Sequence, residues 1–433
     1  MVDSDFGYAL SCIFRYTDKG ESYDMDKVCK LIDENIESMD FEDEEDVKEL
    51  IDIFEKTLTL TREFSPRDAD GNPYGEAGVK ILSYFISKGF DINFKMRQKN
   101  TLLLHLAETE ILPEIFQKVV DLGADAYAVN RSGENILSIS ADTLFTDYGT
   151  PDYETSERLP VYIAEHFDLT KLNSMDESGY TPLMYAVSNN KRKLVETLLK
   201  RGVNVDETGG QSDLWHFNIY GVSPFALACR YGYAELAQML LNAGADETLC
   251  DSEGTPAMFS MLFAPVNYED EDADKKSIVA LLKNPEFLDS DGNTLLIKAC
   301  TREEYNRSGK NVCVGDNEEI ISALLARGVN VNAVNNKGET ALINAAAAGE
   351  KKIVKMLLAA GADIDAHDNR GNTPLITACT EYSETTACLL VRKGANFELL
   401  NNEGFSAIDI AMKRGYTDFV ELCLSIADGT FWK

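Results

Sequence analysis

Three glycines, Gly338, Gly371 and Gly404, stand 33 residues apart inside near-copies of one short phrase. The copies read Lys337-Gly338-Glu339-Thr340-Ala341-Leu342, Arg370-Gly371-Asn372-Thr373-Pro374-Leu375 and Glu403-Gly404-Phe405-Ser406-Ala407-Ile408. Between the first two run Ile353-Val354-Lys355-Met356-Leu357-Leu358 and Gly361-Ala362-Asp363-Ile364-Asp365. A short fixed period describes an array of supersecondary units, each too small to bury its apolar face alone. Function in such a chain is sought on the surface that the array presents.

The residue types match a turn followed by two helices. Gly338 and its equivalents suit a turn position of positive φ. Thr340 and Thr373 are placed to cap a first helix, and Pro374 sits where a helix start accepts proline. Ile353, Val354, Leu357 and Leu358 form the apolar stripe of a second helix, which Gly361 or Gly394 then ends. This phrase resembles the ankyrin repeat, and the resemblance implies a hairpin finger followed by two antiparallel helices. The histidine that follows the leucine in that family is missing here. Met184, Ala226, Ile297, Ile343, Ile376 and Asp409 stand in its place.

Upstream the frame persists with interruptions. Gly221-Val222-Ser223-Pro224-Phe225 and Gly179-Tyr180-Thr181-Pro182-Leu183 match well; Gly292 to Leu296 and Gly133 to Leu137 lack the proline, and Lys99 replaces the glycine of the earliest copy. Gly254-Thr255-Pro256-Ala257-Met258 carries its proline one position early, which predicts a distorted turn. The leucine slot runs Leu103, Leu137, Leu183, Phe225, Met258, Leu296, Leu342, Leu375, Ile408 and is expected to be a continuous core strip. Before residue 95 only periodicity remains, with helix pairs expected over 6–16 and 25–34, and over 44–61 and 76–88. The reading is an all-α ankyrin-like solenoid of about eleven helix-pair repeats with short hairpin fingers, on the order of 100 Å long from ~8–10 Å helix spacing. Residues 1–94 are expected as an acidic capping region with two divergent pairs, 95–400 as the array, and 401–433 as the closing repeat.

Departures from the period mark the places to look for function. Gly133 to Gly179 and Gly292 to Gly338 each span 46 residues, and Gly254 to Gly292 spans 38. The extra residues, around 143–156, 266–275 and 303–316, fall between first and second helices and should decorate one rim. Gly179 to Gly221 spans 42 residues, and its insertion instead enlarges a finger over 207–220. Trp215, Phe217, Ile219 and Tyr220 in that finger, with Tyr180 and Val222 beside it, form the candidate partner-binding patch. Alternatively, Trp215 and Phe217 fold back to cover a gap between units.

Charge adds a second reading. The net charge is −32, with carboxylate runs at 40–46 and 269–274. Such a chain repels nucleic acid and anionic membranes and attracts basic partners, or the acidity serves solubility alone. Neither run has the glycine and alternating ligand order of a calcium loop. His105, His166, His216 and His367 fall in separate units without metal-binding spacing, and no phosphate loop or nucleophile elbow is present. No cofactor, metal or catalytic residue is expected. Cys229, Cys300 and Cys379 share a repeat position with Ala346 and should be small buried residues, with Cys423 in a core leucine slot; the odd count of nine argues against a disulfide framework.

No apolar run reaches the ~20 residues of a membrane helix, and the start Met-Val-Asp-Ser-Asp-Phe lacks signal-peptide features. The expected place is the cytoplasm, although delivery by a dedicated secretion machine leaves no such trace. The chain is read as a non-catalytic monomer that binds another protein, and the resemblance to ankyrin repeats implies that it does so through its fingers and concave surface. Competing readings are an acidic, immunity-like neutraliser of a basic enzyme, and a secreted effector that engages host protein.

Overall fold

A computed structural model describes residues 25–35, 75–96, 100–109, 111–143, 157–209, 221–251, 254–262, 274–301 and 317–427, with residues 41, 43, 47, 48, 50, 51 and 54 between the first two segments. The protein is an all-α repeat solenoid. It divides into two compact units, Met1–Asn204 and Val205–Lys433, and the boundary falls within the finger that carries the 207–220 insertion.

All nine copies of the turn phrase open a helix pair. In the first unit the pairs are Leu102–Ala107 with Pro113–Asp121, Ile136–Asp142 with Arg158–His166, and Pro182–Ser188 with Arg192–Lys200. In the second they are Pro224–Tyr231 with Ala234–Asn242, Ala257–Leu262 with Lys275–Leu281, Leu295–Ala299 with Glu318–Ala326, Ala341–Ala348 with Lys351–Ala359, Pro374–Thr380 with Glu384–Arg392, and Ala407–Arg414 with Thr417–Ala427. Within each unit, first helices pack on neighbouring first helices and second helices on second helices, giving two layers. The helices Met25–Asn35 and Gly75–Ser87 occupy expected second-helix places and pack together. Tyr84 Oη donates to Asp33 at 2.9 Å, and Lys88 Nζ lies 2.6 Å from the same carboxylate.

The local chemistry follows the phrase closely. Thr101, Thr181, Ser223, Thr294, Thr340, Thr373 and Ser406 each accept a first-turn N–H through the side-chain oxygen. Asn135 does the same in the copy that lost its threonine. Pro256 supplies no such oxygen at the capping position, and the helix after it, Ala257–Leu262, is a 3₁₀ helix. Asp409, in the slot of the missing histidine, completes a capping box with Ser406. The other substitutes, Met184, Ala226, Ile297, Ile343 and Ile376, are buried and apolar.

From Leu103 to Leu375 the core strip is 2% exposed or less. Ile408, in the last described pair, is only half-buried. Ile353, Val354 and Leu357 are buried while Leu358 is partly exposed. Cys229, Cys300, Cys379 and Cys423 are free and buried. Burial raises all four thiols, those of Cys379 and Cys423 to about 12. The three rim insertions are bracketed by first and second helices as expected; residues 144–156, 263–273 and 302–316 lie outside the described residues.

Glycine is required at the finger turn for two separable reasons. Gly338 has φ +77°, and a Cβ there would meet Asn369 Oδ1 at 2.6 Å and its backbone nitrogen at 2.9 Å. Gly361, ending a second helix at φ +91°, has open space around it. Gly361→Ala should therefore cost about 1 kcal/mol, the left-handed backbone penalty alone. Gly338→Ala should cost at least ~1 kcal/mol more, because the neighbouring finger must also move. Thermal melts of the two variants check this; equal losses would mean that the fingers do not touch.

Candidate protein-interaction surface

The fingers of the second unit are joined to one another. Asn336 N–H donates to Asp291 O at 3.0 Å, Asn369 N–H to Lys337 O at 2.9 Å, and Asn402 N–H to Arg370 O at 2.9 Å. Asn369 Nδ2 reaches Asn336 O, and Asn402 Nδ2 reaches Asn369 O, each at 3.0 Å. These asparagines recur every 33 residues, so one ladder crosses successive fingers. Glu177 N–H makes the corresponding 2.8 Å bond to Ser132 O in the first unit.

Many finger carboxylates are occupied inside the turns. Asp289 accepts from the N–H groups of Asp291 and Asn293, and Asp368 from those of Arg370 and Asn372. Asp206 and Asp365 reach the next finger, at Asp246 N–H and Asn396 N–H, both at 2.9 Å. Part of the chain's acidity thus closes turns. Four residues before Gly292, Gly338 and Gly404 stand Leu288, Val334 and Leu400, which are 51%, 57% and 61% exposed. His367 holds the same place in its finger and is exposed. Rigid backbone carrying a row of exposed side chains is suited to gripping another surface, since little entropy is lost on binding. The histidine substitutions and finger asparagines were legible as a 33-residue period; the exposure of the row was not, because a period does not say which side faces out.

Of the sequence-predicted patch, Tyr180 and Val222 fall within the described residues. Trp215, Phe217, Ile219 and Tyr220 lie outside the described residues. The base of their insertion is closed: Gly209 N–H donates to Val222 O at 3.0 Å, and Gly221 N–H to Gly209 O at 2.8 Å. Val222 is half-buried at this base and belongs to the second unit. Tyr180 belongs to the first, where its half-buried ring lies 5.2 Å from that of Tyr185.

The first unit carries a buried polar cluster that sequence reading missed. Tyr185 Oη donates to Asp176 Oδ2 at 2.6 Å, and burial with that bond raises the phenol. Lys191 is 3% exposed and donates from Nζ to Ser140 O at 2.8 Å. Asn189 Nδ2 reaches Ala141 O at 3.1 Å and Asp142 Oδ1 at 3.3 Å. Glu157 Oε2 accepts from Leu194 N–H at 2.8 Å, capping the second helix of the next repeat. Burial raises both Asp142 and Glu157, and lowers Lys191 to about 8. These bonds clamp both ends of the 144–156 insertion to the following repeat. Close by, residues including Leu112, Pro113, Glu157, Val161, Tyr162 and Lys193 line an open groove of about 520 Å³. Among the described residues no cluster of histidine, cysteine or carboxylate groups is arranged to hold a metal.

A family model described as ankyrin repeats (3 copies) matches residues 159–251, 270–368 and 352–430, more than half of the chain. The chain belongs to the ankyrin-repeat family. Repeats of this family generally bind other proteins. The B-cell lymphoma 3 protein homolog of Mus musculus is 27% identical over 212 residues, covering 42% of this chain and 44% of that protein. Palmitoyltransferase AKR1 of Lachancea kluyveri is 25% identical over 170 residues, 39% of this chain and 20% of the enzyme. Palmitoyltransferase Hip14 of Drosophila melanogaster is 31% identical over 83 residues, 19% of this chain and 12% of the enzyme. The matched regions thus cover less than half of each of these relatives. Among the described residues no helix is long and apolar enough to cross a membrane.

The Lys191 cluster has a pH signature. A lysine whose folded pKa lies below its unfolded value opposes folding below about pH 8, and this penalty is relieved as pH rises toward the unfolded value. Wild type should therefore gain stability relative to Lys191→Met between pH 7 and pH 9.5, by on the order of 1–2 kcal/mol. Paired denaturant titrations at the two pH values measure it; a constant difference would mean that Lys191 titrates like an exposed lysine.

Proposed function

We propose that this chain is a non-catalytic protein-binding array whose fingers hold a partner protein. The observation that carries the reading is the row Leu288, Val334, His367 and Leu400 on fingers tied by the asparagine ladder. Apolar side chains held out on a rigid frame are costly in water and are natural anchors for a partner. The enlarged finger bearing Trp215, Phe217, Ile219 and Tyr220, with Val222 at its base and Tyr180 in the preceding finger, is proposed as the second contact. The two palmitoyltransferases share only a fifth or less of their length with this chain, so their activity is not carried over.

The acidic-neutraliser reading is the weaker of the two. It relies on free carboxylates, whereas Asp206, Asp289, Asp365 and Asp368 are engaged in finger hydrogen bonds. The remaining surface of a chain with net charge −32 still favours a partner with a basic rim. The proposed working state is a cytoplasmic monomer with residues 1–94 and 401–433 as caps.

Pull-down with the full chain tests the reading. The triple variant Trp215→Ser/Phe217→Ser/Tyr220→Ser and a finger-row variant Leu288→Ser/Val334→Ser/Leu400→Ser run beside wild type at low and moderate salt. Each serine variant should retain its melt and lose a salt-resistant partner by tenfold or more. A basic partner indifferent to both variants and stripped by salt would replace the proposal with the charge-driven reading.

A further inference from the structure

In the repeat frame, the residue that ends the first helix and opens the turn to the second is Gly232, Gly349 and Gly415 in three of the described pairs. All three are left-handed, with φ of 80°, 78° and 77°. Tyr382 stands at this position in the pair Pro374–Thr380 and Glu384–Arg392, and it too is left-handed, with φ 63°. Among the described residues the other non-glycine with positive φ is Asn190, at the same repeat position. Asparagine tolerates this region; a bulky aromatic residue does not, so Tyr382 holds its backbone at a cost that glycine avoids.

That cost brings no burial. Tyr382 is 73% exposed, the largest exposure among the described large apolar side chains. One face of its ring is covered by Arg414, whose guanidinium carbon lies 3.6 Å from the ring centre. Arg414 Nη2 also donates to Thr380 O at 2.9 Å. The guanidinium is thus fixed at two points, by a ring and by a neutral carbonyl. Among the described residues it has no carboxylate partner, in a chain with 73 acidic residues. Its remaining N–H groups form an edge with the geometry that carboxylates accept in a fork.

We infer that Tyr382 and Arg414 form a contact site for a partner segment that carries a carboxylate beside an apolar side chain. The carboxylate takes the free guanidinium edge, and the apolar group lies against the open face of the Tyr382 ring. Tyrosine and arginine are among the residue types enriched at the energetic centres of interfaces, and side chains held rigid before binding lose less entropy. The site lies at the helix-to-helix turns, away from the fingers, and it recognises charge opposite to that which the chain's overall acidity selects. The inference rests on the chain being a protein-binding array, and adds to it a contact that no finger supplies.

A random peptide display library panned on the immobilised full chain tests this. Tyr382→Gly, Arg414→Gln and the Trp215/Phe217/Tyr220 serine variant are panned in parallel. Wild type should enrich peptides with Asp or Glu next to Leu, Phe or Pro, and both Tyr382→Gly and Arg414→Gln should bind those peptides at least tenfold more weakly. Arg414→Lys should rescue only a small part, because an ammonium group does not present a fork. Tyr382→Gly should melt no lower than wild type, since it relieves a strained backbone. A melt lowered by several degrees would make Tyr382 a packing residue and overturn the inference. Failure to enrich acidic peptides, or their equal binding to all four proteins, overturns it as well. Peptides lost only from the serine finger variant would overturn the Tyr382 site while leaving the protein-binding array intact.

Discussion

A pair of helices five to eleven residues long cannot bury its own apolar stripe. Within each unit, first helices pack on first helices and second helices on second helices of the neighbouring repeats. Stability is therefore a sum of contacts between adjacent repeats. The core-strip residues from Leu103 to Leu375 are closed to solvent, and Ile408, in the last described pair, is partly open. Every other feature of the protein is attached to this constraint.

Polar groups follow the same nearest-neighbour rule. A capping oxygen opens each first helix, and where Pro256 replaces it the helix tightens to 3₁₀. Second helices lack capping side chains at their own starts in several repeats, and Glu157 and Glu384 reach across from the preceding repeat to Leu194 N–H and Phe419 N–H. Arg201 and Arg414 cover carbonyls at the ends of the preceding repeats' helices. Helix ends leave unsatisfied backbone groups, and short helices have proportionally more of them. In this array one repeat often completes the helix termini of the next, so the polar and apolar interfaces are formed together.

Charge has to be read in the same light. A count of carboxylates suggests a surface built to attract cations, but Asp289 and Asp368 hold turns, and Asp206 and Asp365 join fingers. The negative balance is partly a by-product of folding many tight turns with aspartate. Against that background the informative residues are those that architecture does not use. The finger row and Tyr382 are both of this kind, the row exposed and largely apolar, and Tyr382 aromatic where Gly349 and Gly415 stand in neighbouring repeats.

How much was legible in advance depends on the range of the physics involved. The turn glycines, the caps, the buried cysteine position and the place of each insertion are local or strictly periodic, and the amino-acid sequence determined them without help. The sequence also displays Tyr382 in register with Gly349 and Gly415, once the repeats are laid over one another. It did not reveal that Lys191 and Glu157 are buried, because their neighbours come from adjacent repeats across an insertion of irregular length. Nor did it show that Leu288, Val334 and Leu400 face water, or that Arg414 lies on the Tyr382 ring. Those outcomes depend on how far each repeat is rotated against the next, and only packing of the assembled layers decides that angle.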